Sequence, residues 1–182
     1  MTPSARTGER PQLPLGGASL LIIATTLASL LIYGACGRHA SRFSTTFESP
    51  QDLASAVLEA AQAHDRQALE RLALSESEFR DEVYPEMPAF GRIPLDFVWK
   101  DLRQKSAIQI DRILALSGSW DFEVESVVFD GGATAYDTFV VHRKPRLRLR
   151  KRDGSGTVDA AVFGSVIQES GRYKLFSYVV NR

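Results

Sequence analysis

Few side chains in this sequence are spaced for chemistry. Cys36 is the only cysteine, and the three histidines, His39, His64 and His142, stand far apart. A single thiol forms no intramolecular disulfide and no tetrathiolate zinc site, and no two histidines have ligand spacing. No metal and no cofactor is expected. The chain carries no Gly-x-Ser-x-Gly, no phosphate-binding glycine loop, no His-Glu-x-x-His and no dinucleotide fingerprint. Gly131-Gly132 and Gly154-Ser-Gly156 read as turns between strands. Two groups of residues remain. Read as one strand, Thr134–Arg143 puts Tyr136, Thr138, Val140 and His142 on one face and Asp137, Phe139, Val141 and Arg143 on the other. Tyr136 and His142 are therefore pocket candidates. The plainer and favoured expectation is that both border a sheet and hydrogen-bond locally.

The second group is basic: Arg143, Lys144, Arg146, Arg148, Arg150, Lys151 and Arg152 fall within ten residues. Its functional reading is attraction to phospholipid headgroups or to an acidic partner. Its structural reading makes Arg146, Arg148 and Arg150 the solvent face of a strand whose Leu147 and Leu149 point inward. They would then pair with Asp121, Glu123 and Glu125 if the strands are neighbours. The structural reading is favoured. Nucleic acid is not expected, because formal net charge is zero and no aromatics interleave with the arginines.

Cys36 closes the most apolar part of the chain. No charge occurs from Leu13 to Gly37, and Leu15–Ala35 has about the 20 residues that an α-helix needs to cross a bilayer. That is longer than the apolar core of a cleaved signal peptide, roughly 7–15 residues. The ending Tyr33-Gly34-Ala35-Cys36 resembles a bacterial lipobox. Gly34, Ala35 and Cys36 fit that pattern, while Tyr33 stands where leucine is usual. Cys36 is thus a lipidation candidate, and a lipoprotein signal stands beside an uncleaved spanning anchor. Arg6 and Arg10 precede the run and Arg38 and Arg42 follow it, which leaves the positive-inside rule little to read. A long domain after one N-terminal segment favours a position outside the cytoplasm, periplasmic or extracellular. The expected division is a polar tail (1–14), a transmembrane or signal segment (15–36), a flexible tether rich in Ser, Thr and Arg (37–47) and one soluble domain (48–182).

The domain's first half has helical periods. Ser49-Pro50-Gln51-Asp52 is a helix start, followed by Leu53, Val57, Leu58 and Ala61. Asp65 caps a second helix, and Ser75 to Glu78 opens a third that Pro85 and Pro88 end. Leu95 to about Leu116 is the longest. Leu95, Val98, Trp99, Leu102, Ser106, Ile110, Ile113 and Leu114 share one stripe, which is expected to pack on Phe122, Val124, Phe163, Leu175 and Val179. Gly118 ends it. The period then changes to two. Trp120, Phe122 and Val124 alternate with Asp121, Glu123 and Glu125, and a phase change predicts a bulge near Ser126. Thr134–Arg143, the stretch around Leu147 and Leu149, Val158–Gln168 and Arg172–Val180 are further strands. The expected fold is α+β: N-terminal helices, one of them long, packed on a curved, cone-like antiparallel sheet.

The helical opening Ser49–Ala63, the long helix and the ending Gly171-Arg-Tyr-Lys-Leu-Phe-Ser-Tyr-Val-Val180 resemble the nuclear transport factor 2-like superfamily, which includes ketosteroid isomerases and small polyketide cyclases. The resemblance covers about residues 47–180 and implies a pocket between helix and sheet. It implies no single activity, and no catalytic residue transfers by it. The function expected is a membrane-anchored, non-catalytic binding or accessory module. Its partners are the membrane, through the N-terminal segment, and an envelope protein or a small apolar ligand. The alternative is a pocket enzyme of the isomerase or cyclase type. The enzyme requires a water-excluding cavity with at least two converging titratable groups. The module requires that space to be filled by Phe, Trp and Leu.

Overall fold

Ser49 starts the first helix by accepting the backbone N–H of Asp52 at 3.1 Å, with Pro50 in the first turn where an N–H is not needed. The computed structural model, which describes residues 41–180, runs from this helix α1 (Pro50–Gln62) into α2 (Arg66–Leu72), capped by Asp65. A capping box between Ser75 and Glu78 opens the one-turn α3 (Glu76–Glu78), which widens into a π turn over Phe79–Val83 and tightens over Tyr84–Glu86. The longest helix, α4 (Leu95–Ser117), ends at Gly118. That glycine keeps a right-handed φ of −61° and is not the left-handed cap glycine usually supplies. The apolar run Leu15–Ala35, Cys36 and His39 lie outside the described residues.

Seven strands follow: β1 (Phe122–Phe129), β2 (Ala133–Ala135), β3 (Val140–His142), β4 (Pro145–Lys151), β5 (Thr157–Ala160), β6 (Val166–Glu169) and β7 (Arg172–Leu175). They form a three-stranded sheet in the order β1-β4-β5 and a four-stranded sheet in the order β2-β3-β6-β7, with all pairs antiparallel. The fold is α+β, and the register shift in β1 falls between Val124 and Ser126, where the change of apolar phase places it.

Two of the expected strands are broken. Thr134–Arg143 is a hairpin, not one strand. The chain reverses at Asp137-Thr138, Tyr136 N–H donates to Phe139 O at 2.8 Å, and Glu86 accepts the Thr138 N–H at 3.1 Å. Alternation along one strand therefore does not relate Tyr136 to His142. Val158–Gln168 is divided into β5 and β6 by residues 161–165. Gly164 N–H leaves the ladder for Ser177 O at 3.0 Å, and a Cβ on Gly164 would collide with the carbonyl oxygens of Ser177 and Val179. The C-terminal segment lies across the chain there, and only glycine admits it.

The two sheets share a corner. Asp130 N–H donates to Lys144 O and Gly131 N–H to Arg143 O, each at 3.1 Å, while Arg143 N–H donates to Gly132 O at 2.9 Å. The run β1-β2 thus stays bonded to the run β3-β4 across the break. Lys144 turns the chain with a φ of +52°, unusual for a side chain other than glycine. Pro145, next in line, has no N–H to give.

Burial divides into two clusters. In the first, Leu53, Val57 and Leu69 of α1 and α2 meet Ile110 and Ile113 of α4, Leu147 and Leu149 of β4, and Phe163, Leu175 and Tyr178. In the second, Phe79, Val83, Phe139, Val141 and Ile167 pack with the half-buried Leu95, Val98, Trp99 and Leu102 of α4. The α4 stripe is therefore shared. Ile113 belongs to the same cluster as Phe163 and Leu175, whereas Leu102 sits in the cluster with Phe79 and Ile167. Phe122 and Val124 pack against the first cluster, on the side where α1 lies over β1.

Residues 41–47, in the stretch whose composition reads as a tether, are fastened to the domain. Phe47 pairs with Tyr173 in both directions at 2.8 and 2.9 Å, and Phe43 is buried in the second cluster. Glu169, 6% exposed, accepts from Ser41 Oγ, Arg42 N–H and Arg42 Nε at 2.8, 3.0 and 2.6 Å. Glu78 accepts from Ser44 N–H and Ser44 Oγ at 2.7 and 2.8 Å, and Lys174, only 1% exposed, donates to Ser44 O at 2.6 Å. Buried charge is tolerated here because each group has several partners.

Candidate functional site

The basic run is resolved pair by pair along β4. Arg146 Nε lies 3.1 Å from Asp130, Arg148 Nε 3.2 Å from Asp159, Arg150 Nε 2.7 Å from Glu123 and Arg152 Nε 3.5 Å from Asp121. Register explains two of these directly: Glu123 stands opposite Arg150 in β1, and Asp159 opposite Arg148 in β5. Leu147 and Leu149 take the alternate, inward positions. Arg146, Arg148 and Arg150, the residues singled out for an anionic surface, thus each hold a carboxylate. Arg143 and Lys144 are exposed and have no carboxylate partner among the described residues.

Those two cations stand at the sheet corner, where a cleft of about 570 Å³ opens. Arg143, Lys144, Arg146, Asp130 and Asp159 supply its charge, and Pro145, Ala160, Phe163 and Val179 supply apolar wall. Two close approaches build it. A Cβ on Gly131 would lie 2.8 Å from Arg143 Cβ, so glycine lets the β1-β2 junction press against Arg143. Gly164 likewise admits the C-terminal segment that forms the other wall. With Asp130 and Asp159 engaged by Arg146 and Arg148, the unmatched charge of the cleft is positive.

Tyr136 stacks on Phe139 with centroids 4.8 Å apart. His142 bonds Gln168 Oε1 through Nε2 at 2.8 Å and lies 4.8 Å from the Phe129 ring. Neither lines the corner cleft; the hydrogen bond of His142 crosses to a neighbouring strand, while Tyr136 is held by stacking and not by a side-chain hydrogen bond among the described residues.

The two clusters that α4 joins are filled by Phe79, Trp99, Phe163, Ile167, Phe176 and Tyr178. A recess of about 220 Å³ remains beside α4, walled by Trp99, Leu102, Ile110, Phe176 and Tyr178 and rimmed by Glu70 and Arg103. Tyr178 donates its phenol to Leu69 O at 2.7 Å. Burial, helped by the Glu70 charge, pushes that phenol far above its ordinary value, so it is held as a neutral donor. The Trp99 indole N–H is buried without a hydrogen-bond partner among the described residues.

The two buried carboxyls with perturbed ionisation, Glu78 and Glu169, lie away from both openings. Burial works to raise Glu78, but the N–H groups of Ser75 and Ser44, with Lys174 beside them, outweigh it and hold the carboxyl below its usual value. Burial also opposes ionisation of Glu169, where the Arg42 and Ser41 hydrogen bonds prevail and lower it. Burial lowers Lys174 against the pull of Glu78. These are fastenings of residues 41–47 and not a reactive constellation. Sequence reasoning missed them, along with Asp130 and Asp159. A lone Lys or Glu within a strand gives no sign that it faces inward, although Tyr-Lys-Leu-Phe, a charge enclosed by large apolar residues, is a hint. No group of His, Cys, Asp and Glu among the described residues could hold a metal ion. No family model, curated protein or solved structure matches the chain.

Proposed function

We propose that this chain is a membrane-tethered binding module without catalytic chemistry of its own, presenting an α+β domain outside the cytoplasm. The observation that carries the reading is the division of space in the domain. Phe, Trp, Leu and Tyr side chains fill the core clusters that α4 joins, while a charged cleft of about 570 Å³ opens at the sheet corner. An isomerase or cyclase needs a general base and acidic donors converging on a water-excluded substrate. The recess beside α4 offers one buried phenol already bonded to the backbone, and Glu70 at an exposed rim. Tethering rests on the uncharged run Leu15–Ala35, with Cys36 as the acylation candidate at its end. The order of helices followed by antiparallel strands supports kinship with the nuclear transport factor 2-like superfamily, whose cone would here be a closed one.

Alkaline carbonate extraction of membranes from cells expressing the full chain tests the tether. The full chain should stay in the pellet, and a chain beginning at Ser41 should appear in the supernatant. Full-length protein released by carbonate would refute the tether. Mass spectrometry of the mature N-terminus separates an acylated Cys36 from an intact spanning segment.

A further inference from the structure

We propose that the cleft at the sheet corner is a binding site for an amphiphilic anion, a carboxylate or phosphate joined to an apolar chain. The inference deepens the proposed binding role by naming the ligand of that opening. Three observations converge on it. The basic run is not uniformly free: Arg146, Arg148, Arg150 and Arg152 each have a carboxylate within 3.5 Å, and of the three without one among the described residues, Arg143, Lys144 and Lys151, the first two border the cleft. An anion arriving there displaces no partner among the described residues, whereas one arriving at Arg148 or Arg150 must break an existing pair. Second, the cleft is not merely charged. Ala160, Val179 and Val180, half-buried, and the exposed Ala161 present its apolar surface above the buried Phe163 and Pro145, so a purely ionic ligand leaves that surface unused and a purely apolar one leaves the cations unused. Third, its volume of about 570 Å³ falls within the range of small-molecule sites, roughly 300–1,000 Å³.

The backbone is shaped for the opening. Lys144 adopts a left-handed φ of +52° at the point where the sheets part. A lysine in that conformation is strained relative to glycine. The strain is sustained by the Asp130 N–H bond to Lys144 O and places a cation at the mouth. Glycines at 131 and 164 each permit an approach that a Cβ would prevent, and each forms one side of the cleft.

The headgroup has two sources, a free amphiphile or an anionic lipid of the membrane that holds the chain. Hydrogen exchange of the full-length protein in phosphatidylcholine nanodiscs distinguishes them. In one arm hexanoate is added, with hexanol as its uncharged control; in the other, phosphatidylglycerol replaces part of the phosphatidylcholine. Peptides covering residues 143–146 and 159–165 should exchange more slowly with hexanoate but not with hexanol. Protection by phosphatidylglycerol alone assigns the site to lipid, and protection by hexanoate alone assigns it to a free ligand. Arg143→Gln and Lys144→Gly, the latter keeping the left-handed turn without the charge, should each raise the half-protecting concentration up to about fivefold, the worth of one exposed charge contact. Arg150→Gln should leave it unchanged. Equal protection by hexanol, protection that survives loss of both cations, or no protection in either arm overturns the assignment. If protection fails while the chain still resists carbonate extraction, the ligand assignment falls and the tether stands.

Discussion

Glu78 and Lys174 carry opposite charges inside the domain, and their coupling can be worked from the geometry. Lys174 Nζ lies 3.5 Å from Glu78 Oε2 and 2.6 Å from Ser44 O. At an effective dielectric of about 20, two unit charges at that separation attract by about 5 kcal/mol. Part of this offsets the desolvation of two groups that are 8% and 1% exposed. Glu78→Gln leaves the ammonium buried without a counter-charge and turns an amide donor toward N–H groups of Ser44 and Ser75. It should cost about 3–5 kcal/mol. Lys174→Met leaves a carboxylate that still has three donors, Ser44 N–H, Ser44 Oγ and Ser75 N–H. Its cost should be smaller, about 2–3 kcal/mol. The double variant removes both charges together and should fall short of the sum by about 2–3 kcal/mol. Urea denaturation of the chain beginning at Ser41, at neutral pH, gives all three values. Additivity within about 0.5 kcal/mol would show that the two groups do not interact, and the description of how residues 41–47 are held would be wrong.

Acid should loosen the same fastening. Glu78 and Glu169 have folded values below the ordinary carboxyl value of 4.5, so the unfolded chain binds more protons and stability rises with pH in that range. Their contribution is complete above the ordinary value and is lost as pH falls through the depressed ones. Urea midpoints should therefore drop from about pH 5 downward, less steeply in Glu169→Gln, and an unchanged slope in that variant would refute the assignment. Ile113→Ala, in the first cluster at 3% exposure, should cost about 2–5 kcal/mol by denaturation, Leu102→Ala, half-buried, about half of that, and Lys100→Ala, exposed, under about 0.5. Equal costs would mean that the helix phase is wrong. Gly164→Ala should cost roughly 2–3 kcal/mol, because backbone carbonyls of Ser177 and Val179 must move, while Gly156→Ala, with open space around it, should stay within about 0.5.

Local rules carried the helices well. Caps at Ser49, Asp65 and Ser75 are bonds between residues three apart, so their whole geometry is written in adjacent letters. The β1 bulge was legible for the same reason, since a change of apolar phase is local. The strand breaks were not. Thr134–Arg143 keeps its alternation through Asp137-Thr138, and what fixes the turn there is Glu86, far back in the chain. Residues 161–165 leave the ladder because the C-terminal segment arrives over Gly164. The cleft is a consequence of that break, which is why the arginines could be read as a strand face but not sorted into paired and unpaired. Glu78, Glu169 and Lys174 illustrate the same limit, because a buried charge is defined by partners that only the fold brings near.

The central claim, that the space between α4 and the sheets is closed and binding belongs to the outer corner, is tested by two-dimensional NMR of the labelled chain beginning at Ser41. Trp99 supplies the reporter, since its indole N–H is buried beside α4 without a partner among the described residues. Cyclohexanol, a neutral ring able to enter an apolar cavity, should leave the Trp99 indole resonance in place, and hexanoate should move the amides of residues 143–146 and 161–165. A saturable cyclohexanol shift at the Trp99 indole, with the corner amides unmoved by hexanoate, would mean that the interior is the binding site, and the account of a closed domain with an external cleft would be contradicted.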